Sequence, residues 1–439
     1  DGTITAHKED LIFNSGAYAA LMPWGFLAGV GGIAGNLHIP NAQFNVFHVY
    51  TNLIPCGYMR GPGEAQGTFA IESHIDDIAR KMQMDPLEFR LKNTIRDEDP
   101  TPMGETFTRI RAVETLEAAV QASGYNESKP VNVGRGIAMC ARPGSPGETH
   151  CQVTLKPDGS VLLETPIFEQ GTGTYTMLAQ VVAEELGISP TRIHVQVWNT
   201  DVVPFDSGVA GSRTTRMAVP AAYEAAQNAR MELLKQTAEI MGWPQEKITY
   251  DGESLSNLET NEIFTWQEIV GKAPDSSVSG RAYSNQQGRP PVTSFAAQIA
   301  EVEVDPETGQ VKILQLTTAH DVGTVMNPVG HQGQINGGIV QGIGYGIMEE
   351  MVIDNGRVST LSFGDYKIPN IADLPELQTV LLEPDIGTGP YNVKAIGEAP
   401  TLGIAPAVAN ALADAIGIRL KDLPLSAERI YKALQEKSQ

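Results

Sequence analysis

Cysteine is scarce. Only Cys56, Cys140 and Cys151 occur in 439 residues, far apart and without a C-x-x-C pair. Three thiols cannot supply an iron–sulfur cluster or a Cys₄ zinc centre, and they give no disulfide framework. Such usage fits a reducing compartment. The eight histidines are dispersed, with no H-x-H or H-E-x-x-H pattern, and read as surface or satisfied core residues. Positive charge is short as well: 31 Lys and Arg stand against 52 Asp and Glu, a net charge of −21. That excludes the basic footprint of a nucleic-acid binder. No run of about 18 apolar residues is free of charges and Gly/Pro breaks, so no membrane span is expected. There is no G-x-x-x-x-G-K-[ST] phosphate loop and no G-x-S-x-G elbow. "GIGYG" (342–346) lacks the G-x-G-x-x-G spacing of a dinucleotide fingerprint. A methionine start is also missing. "DGTITA" reads as a hairpin turn running into a strand, so the numbering is expected to begin inside a domain.

What is present is an ordinary globular composition, 41% hydrophobic and 19% charged, in a chain long enough for two or three domains. Residues 66–83 repeat apolar positions at helical spacing, and Asp85-Pro86 reads as the cap and first turn of a second helix. Residues 94–110 read as a linker or long loop, and about 217–242 as an Ala-rich helix. An internal repeat links 151–188 with 300–351. Each copy reads strand, Pro-containing turn, strand, Gly/Gln loop, helix. The expected fold is α+β, with two related lobes of mixed sheets and packed helices. Expected divisions are 1–110, 111–242 and 243–439.

Four loops share one chemistry: "MRGPGEAQG" (59–67), "EQGTGT" (169–174), "GVAGSRTT" (208–215) and "GHQGQINGG" (330–338). Glycine admits a ligand close to the backbone, and N–H groups at a helix start attract oxyanions. Gln, Ser and Thr add neutral donors. Converged, the four would cage a large, polar, phosphate-bearing cofactor. Apart from these stands Glu398. It is the single ionisable side chain between Lys394 and Asp414. By position it is either an acid favouring the following helix through its dipole, or an unpaired carboxylate whose pKa an apolar wall raises.

The segments "RGPGEAQ", "EQGTGTYTMLAQVVAEELGI", "SRTT", "NPVGHQGQINGGIVQGIGYG", "DYKIPNIADLPE" and "KAIGEAP", in this order, resemble the molybdenum-cofactor subunit of the xanthine oxidase family of molybdenum hydroxylases. The similarity spans essentially the whole chain but matches only the later part of that subunit. The family's upstream Gly-Gly-rich loop has no counterpart. The resemblance implies two molybdopterin-binding lobes completing a larger subunit: the remainder of the first domain with the Arg-Gly loop (1–110), a lobe with the Gln-Gly and Ser-Arg-Thr-Thr loops (111–242), and a lobe with the Gly-Gln loop and the catalytic Glu (243–439). It implies molybdenum held by a molybdopterin dithiolene, with no protein side chain on the metal, and the pterin extended as a cytosine dinucleotide. Partners implied are a chain supplying the upstream part, an iron–sulfur subunit with [2Fe-2S] clusters and an FAD subunit. A cytoplasmic location is expected, with the periplasm left open.

By resemblance, Glu398 is the catalytic base. Arg60 and Gly61 pass beside the metal. Gln170, Gly171, Gly211, Ser212, Arg213, Thr214, Thr215 and Gln334 contact the cofactor. The implied reaction inserts water-derived oxygen into an aldehyde or N-heterocycle. Two departures argue against purines: Pro62 stands where the purine enzymes have a stacking Phe, and no arginine lies near Ala28. Tyr18, Trp24 and Phe26 offer an alternative aromatic wall or core packing. Other readings on the same scaffold are a carbon monoxide dehydrogenase-like enzyme, an aromatic thioester reductase-like enzyme, and a non-catalytic half-subunit completing a partner's cage.

Overall fold

The computed structural model describes residues 1–18, 33–55, 57–107, 110–289, 293–383 and 389–437. Trp24, Phe26, Ala28 and Cys56 lie outside the described residues. Tyr18 is exposed. Residues 1–6 do not form the expected hairpin. Asn93 accepts from Ile4 N–H at 2.8 Å and donates to Gly2 O at 2.8 Å. The segment's backbone groups find partners on a neighbouring helix, so the chain does not double back. β1 (His7–Gly16) then pairs in parallel with β2 (Ala42–Tyr50). α1 (Glu64–Lys81) and α2 (Pro86–Asn93) follow. α2 starts as its sequence predicts, with Asp85 accepting from Leu87 N–H at 2.7 Å and Pro86 in the first turn. After an irregular stretch comes α3 (Ala112–Ser123).

The two copies of the repeat fold alike. β3 (Val133–Pro143) leads into β4 (Glu148–Leu155) and β5 (Val161–Thr165), an antiparallel hairpin whose side chains alternate between buried and half-buried. α4 (Thr174–Leu186) crosses to β6 (Ile193–Val197), parallel to β5, and the long α5 (Thr214–Met241) follows. A small sheet, β7 (Ile248–Tyr250), β8 (Ser254–Asn257) and β9 (Ile263–Thr265), separates the copies. Next come β10 (Val278–Asn285) and the second hairpin, β11 (Thr293–Val304) with β12 (Val311–Asp321). α6 (Pro328–Ile343) crosses over, and β13 (Ile353–Asp354) and β14 (Arg357–Val358) form a short hairpin. β15 (Glu376–Leu382) lies parallel to β12, and α7 (Ile404–Ile416) follows. The result is the α+β fold.

The copies exchange strands. The sheets run β10-β4-β5-β6 and β15-β12-β11-β3. β3 thus precedes β4 in the chain but pairs with β11, while β10 precedes β11 but pairs with β4. A helix covers each join, α5 over β10 and β4, α7 over β3 and β11. The contacts are alike in detail. A Cβ on Gly280 of β10 would run into Ala225 O and Ala229 N of α5. One on Gly136 of β3 would run into Ala407 O and Ala411 N of α7. Asn228 Nδ2 donates to Arg281 O at 2.7 Å, and Asn410 Nδ2 donates to Ile137 O at 2.8 Å. An A-x-x-N-A segment therefore lies on a strand glycine in both lobes. The stretch Ala399–Ile416 is apolar and long enough to cross a membrane by composition, but 83% of it is buried in the molecule.

Gly136→Ala and Gly280→Ala should each lower the denaturation midpoint, by about 1–3 kcal/mol of overpacking cost, and to similar extents because the two contacts are equivalent.

Candidate active site

A cleft of about 440 Å³ opens where the N-terminal ends of α4, α5 and α6 meet the segment 393–398. Its wall includes Arg60, Gln170, Gly211, Ser212, Thr214, Thr215, Gln334 and Glu398. Three other sequence candidates are not part of the wall: Gly61 is buried, Arg213 half-buried and Gly171 exposed. Gly61 N–H donates to Glu398 Oε1 at 3.1 Å. Gly171 O accepts from Gln334 Nε2 at 3.3 Å. Arg213 turns its guanidinium to Ser207 O at 2.7 Å, so it supports the loop.

Arg60 ties three parts of the chain together. Its Nη2 donates to Gln334 O at 3.0 Å and Gln334 Oε1 at 3.1 Å, and its Nε donates to Gly397 O. Glu398 is also held from behind. Gly338, Gly342 and Gly346 lie on one side of α6 and the π turn that continues it. A Cβ at the first would strike Pro400, one at the second Ile404, and one at the third would press on Ala405. The glycines of "INGGIVQGIGYG" thus let the segment after Glu398 seat against α6. From the other side, Lys394 and Asp321 form a buried ion pair at 2.6 Å that fastens 393–398 to β12.

Glu398 is not unpaired. Its Oε2 accepts from Arg142 Nε at 2.9 Å, from Arg142 Nη2 at 2.5 Å and from Ser212 Oγ at 2.6 Å. Burial pushes its pKa up, but the Arg142 charge and the Ser212 and Gly61 hydrogen bonds outweigh it and hold the carboxyl below the usual range. The expectation of a raised pKa fails because Arg142 lies 256 residues away. Arg142 is a partner of Glu398 that the motifs missed, though it has a local signal: a charge at the end of the otherwise apolar run "GIAMCA" in β3. It also contacts Glu64, a residue inside the quoted "RGPGEAQ", at 3.0 Å.

The "EQGTGT" loop also differs from expectation. Glu169 Oε1 accepts from the N–H groups of Gly171 at 2.7 Å, Thr172 at 2.7 Å and Gly173 at 3.1 Å, and Oε2 from Tyr175 N–H at 3.1 Å. The protein's own carboxylate fills the anion nest at the start of α4. Burial works against it, yet these four donors keep Glu169 below its ordinary pKa. This loop therefore offers the Gln170 side chain and not its backbone N–H groups.

The other segments fit a large polar cofactor, although "GHQGQINGG" (330–338) is not the expected loop: Asn327 caps α6 and Pro328 starts it, so the segment lies inside the helix. α5 begins at Thr214 without a side-chain cap among the described residues, and Thr214 and Thr215 of its first turn lie on the wall. Gly208, in the loop leading to it, has open space where a Cβ would stand. His331 Nε2, from the cleft wall, is buried without a hydrogen-bond partner among the described residues. Together these are neutral donors and a helix start, suited to a pterin with phosphate.

Glu398 and Arg142 set a pH-dependent stability. A carboxyl with a lowered native pKa stabilises the fold above the ordinary carboxylate range and loses that contribution as pH falls through its native value. Arg142→Met should cost about 3–5 kcal/mol at pH 7, because it strands a buried carboxylate. The loss should shrink in urea melts at about pH 4, where Glu398 of the variant, without Arg142 to hold its pKa down, takes a proton and the stranded charge is gone.

Family models for a molybdopterin cofactor-binding domain match residues 1–94 and 111–375. The chain is 28% identical over 456 residues to the xanthine dehydrogenase molybdenum-binding subunit of Escherichia coli O157:H7, covering 98% of this chain and 60% of that protein. It is 30% identical over 478 residues to the nicotine 6-hydroxylase large subunit of Paenarthrobacter nicotinovorans, covering 99% of this chain and 58% of that protein. The crystal structure of quinoline 2-oxidoreductase from Pseudomonas putida 86 superposes with a TM-score of 0.87 at 25% identity, over 99% of this chain and 61% of that one. The chain thus spans about three-fifths of the length of these relatives. With both domain models matched over most of its length, the chain belongs to the molybdopterin cofactor-binding family, the molybdenum subunits of xanthine oxidase type.

Proposed function

We propose that this chain is the later portion of the molybdenum subunit of a hydroxylase that inserts water-derived oxygen at an electrophilic carbon of an aldehyde or N-heterocycle. The observation that carries the reading is Glu398, an ionised carboxylate fixed on the wall of the cleft where the Arg60 and Ser212 loops meet Gln334 of α6. The Mo-molybdopterin is the cofactor. In this reading it is the cytosine dinucleotide form, lying across Gln170, the Gly211–Thr215 loop and Gln334. The upstream part of the subunit, [2Fe-2S] clusters and FAD complete the enzyme. Three cysteines on this chain cannot hold a cluster, which supports placing the clusters on a partner.

When bound, the cofactor supplies the redox centre and the oxygen-transfer chemistry. The chain's own residues handle protons and orientation. Arg142, Ser212 Oγ–H and Gly61 N–H keep Glu398 ionised at neutral pH, so it accepts a proton without first losing one. Gly61 N–H fixes one carboxylate oxygen, and Ser212 with Arg142 fixes the other. Arg60 holds Gly397, the residue before it, through its carbonyl. Such a base contributes about 10²–10⁴-fold in rate. Pro62 in the Arg-Gly loop offers no aromatic face for a purine. Relatives named for nicotine and quinoline favour an N-heterocycle.

Glu398→Gln in the assembled enzyme should lower turnover by about 10²–10⁴-fold while molybdenum and pterin content hold at wild-type levels. Activity kept within a few-fold would remove Glu398 from the base role. Anaerobic addition of aldehydes or N-heterocycles should bleach the iron–sulfur absorbance of the purified complex, and xanthine should not. Rapid bleaching by xanthine would reverse the substrate assignment.

A further inference from the structure

Arg142 is one cation between two carboxylates. Its Nη1 donates to Glu64 Oε1 at 3.0 Å, and its Nε donates to Glu398 Oε2 at 2.9 Å. The side chains of Arg142, Glu64 and Glu398 are 8%, 6% and 13% exposed. Both carboxyls draw on this one guanidinium, while Arg60 and Arg213 add positive charge on the Glu398 side, so in this buried site the less well served carboxyl holds a proton. The donors decide which. Glu398 is served by Arg142, Ser212 and the Gly61 N–H. Among the described residues Glu64 has Arg142 alone, and its Oε2, 3.0 Å from Arg142 Nε, makes no hydrogen bond. The other groups around Glu64 do not alter the balance. Cys140 on β3 is a buried thiol pushed far up and stays neutral. Arg60, in the loop before α1, hydrogen-bonds neutral oxygens of Gly397 and Gln334, and its charge acts on Glu398, which favours ionisation there and not at Glu64.

We propose that Glu64 is a positioning residue that sets the basicity of Glu398 through their shared guanidinium. As a neutral acid it leaves the Arg142 charge to Glu398. Once ionised it draws on that charge and adds a negative one nearby, and Glu398 becomes a stronger base. The inference rests on Glu398 being the base of the proposed reaction. Burial, opposed by Arg142 and reinforced by Glu398, pushes Glu64 up to about 8, so the change falls at mildly alkaline pH.

Glu64→Gln keeps the shape and removes the ionisation. In the purified wild-type holoenzyme, infrared difference spectra taken from about pH 6.5 to 9.5 should show a protonated-carboxyl C=O band disappearing, and Glu64→Gln should lack that band. The ratio of kcat/KM, wild type over Glu64→Gln, should be flat below about pH 7 and rise about threefold or more by pH 9. If the wild type shows no such band, Glu64 carries no proton and the proposal falls. If the band is there but the ratio stays flat, the coupling to Glu398 falls. The infrared measurement does not depend on turnover, so its failure is separate from failure of the base assignment, which the Glu398→Gln variant reads.

Discussion

The position of Glu398 depends on a backbone that has no room to move. The helices after it, Ala399–Leu402 and α7, lie against Gly136 of β3 on one side and against Gly338 and Gly342 of α6 on another, so close that side chains at those glycines would collide with them. Gly403, at the joint between the two helices, sits so near the Gln298 side chain that a Cβ there would overlap Gln298 Oε1. Close packing of this kind transmits displacement instead of absorbing it. The carboxylate at the head of the helices therefore takes its place from strands and a helix buried well behind the cleft. Arg60 adds a tether on the open side.

Charge is settled inside the protein before any ligand arrives. Glu169 occupies one helix start, Arg142 balances the carboxyl groups behind the cleft, and Lys394 is matched by Asp321. What remains on the wall is mainly neutral: Gln170, Gln334, threonines, glycine backbone and His331. A cofactor with several anionic groups meets donors that are not committed to charges of their own, and α5 presents its helix start. The division of labour is consistent. Ions inside the chain fix geometry, and dipoles facing the cleft receive the ligand.

Much of this is legible in the sequence, for reasons that differ by element. The helices Glu64–Lys81, Pro86–Asn93 and Thr214–Met241 carry local signals, apolar spacing or an Asp-Pro start, and form within three residues of where those signals put them. The repeat is visible because each copy has its own turn, and the turns fix both hairpins. Local signals do not show which sheet β3 joins. Gly136 pairs with Ala300, and nothing near either residue announces the other. The cleft residues are legible because glycine loops before helices are a local pattern. Glu398's partner is not, because an ion pair between Arg142 and Glu398 depends on tertiary structure alone. The capping by Glu169 is open to a local reading, since an acid before a glycine-rich helix start is a familiar cap, but the same glycines read as facing a ligand.

The exchange of β3 and β10 between the sheets has a kinetic consequence. As the chain leaves the ribosome, β3 appears first, almost wholly buried in the finished fold, and its strand partner β11 is made only after the small sheet and β10. β4 and β5 can close on themselves at once, but β3 must wait with both edges open. Long-range pairing of this sort is slow, and an apolar strand held unpaired is a template for wrong partners. Assembly of this chain should therefore be paced by the arrival of β11, with the first lobe sheltering β3, or a chaperone covering it, until the second lobe supplies the edge it needs.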